Sequence, residues 1–191
     1  MKADQKRWDK KFGRKEFALG KEPNPFLKKH IRLLPRGKAL DIATGEGRNA
    51  VFLAQNGFDV DAVDISEKGL KKARKLAREK GVKINTFLVD LDQYHIAKER
   101  YDLIANFYFL KRRLIPRIRN GLKKGGIVVF ETYLLEHRAL ATGGPTQAKY
   151  FLKPNEPLRL FRNFRILYYR EGIFKEGRKR KVVASLIAQK I

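Results

Sequence analysis

The chain has 191 residues, the length of one ordinary domain, and its 43% hydrophobic and 11% aromatic content is that of a foldable globular chain even though 34% of the residues are charged. The absence of cysteine excludes disulfides and thiolate metal sites, and His30, His95 and His137 are too scattered along the chain to point to a metal centre. Forty-four Lys and Arg against 20 Asp and Glu leave a formal charge of +24, which attracts polyanions; the basic residues are spread over nearly every segment, however, as a heavily charged, heat-adapted surface would also have them.

Residues 1–11 alternate charges and carry no apolar core of the kind a secretion signal needs, and no later apolar run approaches a membrane span. The expected compartment is the cytoplasm, with no membrane partner. Asn24 before Pro25 marks a helix start, and the pattern predicts a helix to about residue 34 with Phe26, Leu27, Ile31 and Leu34 inward, stopped by Pro35-Arg36-Gly37. A regular alternation follows: strand over 38–44, helix over 47–56, strand over 58–64, and helix over 66–80, capped by Ser66 and closed by Gly81. Strands at 82–89 and 101–106, a helix at 115–122 and a strand at 127–133 continue it.

Beyond Tyr133 the stretch 136–150 is polar, 154–161 reads as a short helix, and strand-like stretches at 164–171 and 181–190 are joined by a turn around Lys175-Glu176-Gly177. The fold class expected is α/β: a Rossmann-like, open, twisted seven-stranded sheet, mostly parallel with a C-terminal antiparallel hairpin, and with helices on both faces. Ligands then bind where the strands end. Without repeats, linkers or low-complexity blocks, 1–191 is expected to be one domain.

The chemistry concentrates in Ala39-Leu40-Asp41-Ile42-Ala43-Thr44-Gly45-Glu46-Gly47-Arg48-Asn49-Ala50, at a strand, turn, helix junction. Gly45 permits a tight turn, Gly47 is expected to let a ligand press on bare backbone, and Ala50 allows close helix packing, a G-x-G-x-x-A fingerprint. Asp64 ends the second strand, where a carboxylate can accept from both hydroxyls of a ribose, so an adenosine-containing ligand leads. Two such ligands share this geometry: a nicotinamide dinucleotide and S-adenosylmethionine. Glu46 in the loop opposes a pyrophosphate more than a sulfonium, and Asp41 adds a second carboxylate near that cation. Asp90, at the third strand exit, is placed to accept from an adenine amino group.

These residues resemble the cofactor motifs of class I S-adenosylmethionine-dependent methyltransferases: Asp41-x-x-x-Gly45-x-Gly47, Asp64, and Asp90-Leu91. Within that class the chain is most similar to tellurite-resistance-type methyltransferases. That similarity rests on Trp8, Glu22-Pro23-Asn24-Pro25-Phe26-Leu27, the glycine turn, Ala62-Val63-Asp64-Ile65-Ser66, Phe107-Tyr108-Phe109-Leu110 with Arg112, Lys124-Gly125-Gly126 and Leu158-Arg159-Leu160-Phe161. Thr44 departs from the cysteine many relatives carry, and Arg113 from a common proline.

The resemblance implies S-adenosylmethionine as cofactor, contacted by Asp41, Ala43, Gly45, Gly47, Arg48, Asp64, Ile65, Asp90, Leu91 and Phe107, with residues 1–36 a helical segment covering that site. It implies in-line methyl transfer driven mainly by orientation, so no general base is named. On the acceptor side stand Tyr108, Arg112 and Tyr133, with Arg112 suited to an oxyanion. The expected function is methylation of a small molecule or oxyanion, such as a tellurite- or selenite-like ion or a thiol, by a monomer or homodimer. The alternatives are a nucleic-acid methyltransferase, motivated by the basic run 111–124, and a non-catalytic adenosyl-binding module. Asn106-Phe107-Tyr108-Phe109 lacks the two prolines usual in enzymes that methylate exocyclic base amines.

Overall fold

The structure, a computed structural model, describes residues 2–140, 143–176 and 179–191. The N-terminal segment is helical in two pieces. In the first, α1 (Lys2–Phe12), the alternating charges sit on the exposed side while Trp8 and Phe12, one turn apart, stack at 5.4 Å and Phe12 is buried. The second, α2 (Pro25–His30), starts as expected: the Asn24 side chain accepts from the N–H groups of Phe26 and Leu27, and Pro25 occupies the first turn. A 3-10 turn over Ile31–Leu33 finishes the stretch, with Phe26, Leu27 and Leu34 buried.

The alternating series then unfolds as β1 (Lys38–Ile42), α3 (Arg48–Gln55), β2 (Asp59–Asp64), α4 (Glu67–Glu79), β3 (Asn85–Leu88), β4 (Tyr101–Phe107), α5 (Ile115–Gly121) and β5 (Leu122–Tyr133). A helix, α6 (Glu156–Leu160), precedes β6 (Phe164–Glu176) and β7 (Lys179–Lys190). The seven strands form one sheet in the order β3-β2-β1-β4-β5-β7-β6, parallel except for β7, which runs antiparallel to both neighbours. The expected mostly parallel sheet with a C-terminal hairpin is therefore present. Chain order reverses on either side of β1, and such a switch point opens a crevice at the carboxyl ends of the strands.

The boundaries differ for local reasons. The third strand shrinks because the Val82 N–H satisfies the Ala77 carbonyl at the end of α4, while Val82 and Ile84 pack beneath that helix. The fifth strand starts earlier: Leu122 pairs with Tyr101, and the ladder then shifts register before Leu103 meets Ile127. The hairpin arms run further than expected, to a Glu176–Lys179 pair, and Gly177 of the expected turn lies outside the described residues.

Both sheet faces are covered, which is why the central strands are largely apolar. On one face Leu40, Ile104 and Phe130 pack with Phe161, and on the other Ala39, Leu103 and Val129 pack with Phe26, Leu27 and Leu53. Each such large side chain contributes ~1.5–3 kcal/mol when buried. Among the described residues no helix is long and apolar enough to cross a membrane.

Candidate cofactor and acceptor site

Beyond Ile42 the chain turns sharply, with Ala43, Gly45 and Gly47 at φ of 54°, 57° and 83°. Ala43 carries this left-handed backbone without being glycine, a strain that persists only when its surroundings impose it. Here the imposition is visible: Thr44 N–H donates to the Val63 carbonyl at 3.1 Å, and the Thr44 hydroxyl donates to Asp41 Oδ2 at 2.6 Å. The two glycines admit protein neighbours. A Cβ on Gly45 would lie 3.2 Å from the Phe12 ring, and one on Gly47 only 2.5 Å from Ala73 Cβ on α4. Gly47 is therefore required by the packing of α4.

Carboxylates stand at three successive strand exits. Asp41 is 2% exposed, and burial pushes its carboxyl from an ordinary 3.8 up to about 7, against the opposing Thr44 hydrogen bond. Asp64 accepts from Gly45 N–H and Ser66 N–H, each at 2.8 Å, and burial raises its carboxyl too. It ties the glycine turn to the start of α4, and its remaining lone pairs suit hydroxyl donors. Asp90 Oδ1 accepts from Asp92 N–H at 2.9 Å and so closes the turn after β3. Ala43, Ile65, Asp90 and Tyr108 are half-buried along the same row of exits, while Leu91 and Phe107 are buried behind it, in opposite faces of the core.

Glu46 and Arg48 turn away from the strand exits. Glu46 is 2% exposed, paired with Lys72 at 2.8 Å and accepting from Leu19 N–H at 3.2 Å. Its charge is compensated inside the fold, so it is no obstacle to a pyrophosphate, contrary to the expectation from sequence. Arg48 reaches the Leu19 carbonyl at 3.2 Å and lines an outer cavity of about 190 Å³ with Lys21, Lys28 and Lys80. The N-terminal segment is fastened over the turn by these contacts and by Asp9, which accepts from the Ser66 hydroxyl at 2.6 Å.

Beyond β4 the chain turns at Tyr108, itself left-handed at φ 57°. Its hydroxyl lies 2.9 Å from Glu131 Oε1, and its ring 4.9 Å from that of Tyr133. Tyr133 in turn stacks at 4.3 Å on buried His137. Val182 N–H donates to His137 Nδ1, which assigns the proton to Nε2 facing the Gly143 carbonyl, and burial lowers the imidazole pKa. Tyr108 and Tyr133 are thus brought together.

Arg112 is not brought into that group. Its guanidinium grips Glu156 through two hydrogen bonds of 2.5 and 2.9 Å and donates to the Lys149 and Phe151 carbonyls, which leaves it anchoring the 148–156 segment rather than facing an oxyanion. The surrounding basic run is spent similarly: Lys111 and Arg113 on Asp92, Arg117 on carbonyls of 91–94, Lys123 on Asp102.

Sequence patterning does not flag Glu131, 4% exposed near the carboxyl end of β5. Asn24 Nδ2 donates to it at 2.7 Å and the Ser185 hydroxyl at 2.6 Å, with Arg170 at 3.9 Å. The available signal was a lone charge closing the run Ile127-Val128-Val129-Phe130-Glu131, where both faces of the strand are covered.

The switch point at β1, the strained glycine turn and the carboxylates at three exits define the class: a Rossmann-like fold of the S-adenosylmethionine-dependent methyltransferase type. The chain belongs to the tellurite resistance protein TehB family, whose model matches residues 9–179. It is 28% identical over 146 residues to the Probable S-adenosyl-L-methionine-dependent methyltransferase TehB of Haemophilus influenzae, covering 71% of this chain and 49% of that one. A Ubiquinone biosynthesis O-methyltransferase of Idiomarina loihiensis is 26% identical over 156 residues, 71% of this chain and 63% of its own length. The chain thus spans about half to two thirds of these relatives. The crystal structure of Haemophilus influenzae TehB superposes with a TM-score of 0.74 at 19% identity, covering 98% of this chain and 67% of that one. A Methanosarcina mazei S-adenosylmethionine-dependent methyltransferase gives 0.71 at 19% identity over 89% of this chain and 99% of its own, so the likeness is one of fold.

Proposed function

We propose that the chain is an S-adenosylmethionine-dependent methyltransferase acting on a small nucleophile, an oxyanion or a thiol. The carrying observation is Asp41: a carboxylate buried beneath the glycine turn, with Asp64 and Asp90 at the neighbouring exits, suits a ligand that brings a cation and ribose hydroxyls. When bound, the cofactor supplies an electrophilic methyl group on a sulfonium.

Asp64 would accept from the ribose, Asp41 would face the methionine cation, and Asp90 would face the adenine edge. Ala43, Gly45 and Ile65 supply backbone and apolar contact, with Leu91 and Phe107 stiffening the walls behind them. The segment 1–36 covers the site, and Tyr108 and Tyr133 border the acceptor. The chain's main contribution is alignment, which is worth ~7–11 kcal/mol when a nucleophile is held in line at near-attack distance.

Calorimetric titration with S-adenosylmethionine tests this. Asp64→Ala is expected to weaken binding ~10–100-fold through lost hydrogen bonds, while circular dichroism reports an intact fold. Wild-type protein that binds no cofactor at millimolar concentration overturns the proposal.

A further inference from the structure

We infer that Tyr108 and Glu131 form a proton relay for the methyl acceptor, so that the acceptor carries a removable proton, as a thiol, phenol or similar X–H group does. The inference rests on the methyltransferase reading and goes beyond it, because alignment alone needs no base. Two observations carry it: the position of Glu131 relative to the glycine turn, and the direction of the Tyr108 proton.

Strand register fixes the position. Asp41 lies level with Ala105, and Ala105 with Val129; one step further along the same face come Phe107 and Glu131. Glu131 therefore stands one row above Asp41, at the level where the glycine turn leaves β1, and two strands away, ~10 Å across the crevice. A ligand laid over the exits of β1 and β4 has its reactive end between the two carboxylates.

Hydrogen bonding fixes the proton. The phenol oxygen of Tyr108 faces two N–H donors, Asn24 Nδ2 at 3.3 Å and Lys181 Nζ at 3.4 Å, so its own proton points to Glu131 Oε1 at 2.9 Å. Glu131 is 4% exposed and Tyr108 half-buried, so a proton from the crevice reaches the carboxylate through the phenol. Among the described residues, the groups facing Glu131 are Asn24 before α2, Tyr108 after β4, Ser185 on β7 and Arg170 on β6, with Lys181 beside Tyr108.

In the reacting complex X–H takes the place of the long Lys181 contact. The lone pair of X forms the new bond to the methyl carbon, and the carbon–sulfur bond breaks with its electron pair going to sulfur. The X–H proton passes to Tyr108 Oη as the Tyr108 proton passes to Glu131. One cation and one carboxylate become a neutral thioether and a carboxylic acid, and the proton leaves to solvent after release. Tyr108 touches the acceptor; Glu131 acts through it as a positioning residue and proton sink.

The test begins with cofactor titration of wild type, Glu131→Gln and Tyr108→Phe. Failure of wild type to bind sinks the methyltransferase reading itself, and comparable affinity in all three isolates the relay. With ¹³C-glutamate labelling, the Glu131 carboxyl signal, identified by its loss in Glu131→Gln, is titrated with S-adenosylmethionine and with S-adenosylhomocysteine. The carboxyl resonance is expected to move between the sulfonium and the neutral thioether complexes, and to move again in Tyr108→Phe, where its phenol donor is lost. Methyl transfer is then followed with 2-mercaptoethanol, phenol and selenite as probes. Both variants are expected to lose at least 10-fold in kcat and the acidic limb of the pH profile with the protic probes. A carboxyl resonance indifferent to the loss of the Tyr108 hydroxyl, or protic transfer unchanged in both variants or absent from wild type, overturns the relay.

Discussion

Acidification is expected to weaken cofactor binding through Asp41. Its carboxyl titrates at about 7 in the folded chain, so below that pH it is mostly protonated, and a sulfonium- and ammonium-bearing ligand must expel the proton to gain the ion pair. Each pH unit well below 7 then costs ~1.36 kcal/mol, making Kd ~5-fold weaker at pH 6 than at 7 and ~50-fold weaker at pH 5. Calorimetry in two buffers of different ionisation enthalpy reads this directly, with proton release approaching one per cofactor bound at pH 6. Folding gives an independent check on the sign. A carboxyl raised in the folded state favours folding fully below its ordinary 3.8, and that advantage is lost as pH rises through about 7, a displacement worth ~4 kcal/mol. Asp41→Asn removes the penalty, so its stability relative to wild type should climb across that window while its cofactor affinity becomes flat with pH. A wild-type Kd constant from pH 5.5 to 7.5, with no proton released, refutes the reasoning.

Two substitutions separate structure from function elsewhere. Gly47→Ala combines a left-handed φ of 83° with a Cβ placed 2.5 Å from Ala73 Cβ, and should cost about 2–4 kcal/mol in urea unfolding; Ala73→Gly in the same chain should recover the clash but not the backbone strain. A loss below 0.5 kcal/mol would show that the turn and α4 separate easily. Arg112→Ala leaves buried Glu156 unpaired and strips two carbonyls of their donor, so a loss of ~2–3 kcal/mol is expected, tempered by the partial exposure of the guanidinium. Unchanged melting together with a raised KM for selenite would instead return Arg112 to the acceptor site.

The sheet is legible in the sequence because its signals are local: short apolar runs, Ser66 and Asn24 as caps, Gly81 as a stop, and a glycine turn beyond the first strand. The carboxylates at the exits are legible for the same reason, since each follows directly on a strand that periodicity identifies. What periodicity cannot supply is the partner of a polar side chain. Arg112 has the chemistry of an oxyanion clamp, and only the return of the chain at Glu156, 44 residues on, turns it into an anchor. Glu46 is diverted in the same way by Lys72, 26 residues on.

The most consequential of these long-range pairings is the one made by Asn24. Its side-chain oxygen starts α2, its N–H holds Asn49 at the head of α3 at 2.8 Å, and its amide nitrogen holds Glu131, 107 residues away. One residue that sequence identifies as a helix cap thus ties the N-terminal segment to the helix behind the glycine turn and to the buried carboxylate of β5. The same amide that fixes Glu131 also touches the Tyr108 hydroxyl. Asn24 therefore joins the start of α2, the head of α3 and the Tyr108–Glu131 pair in one hydrogen-bonded arrangement.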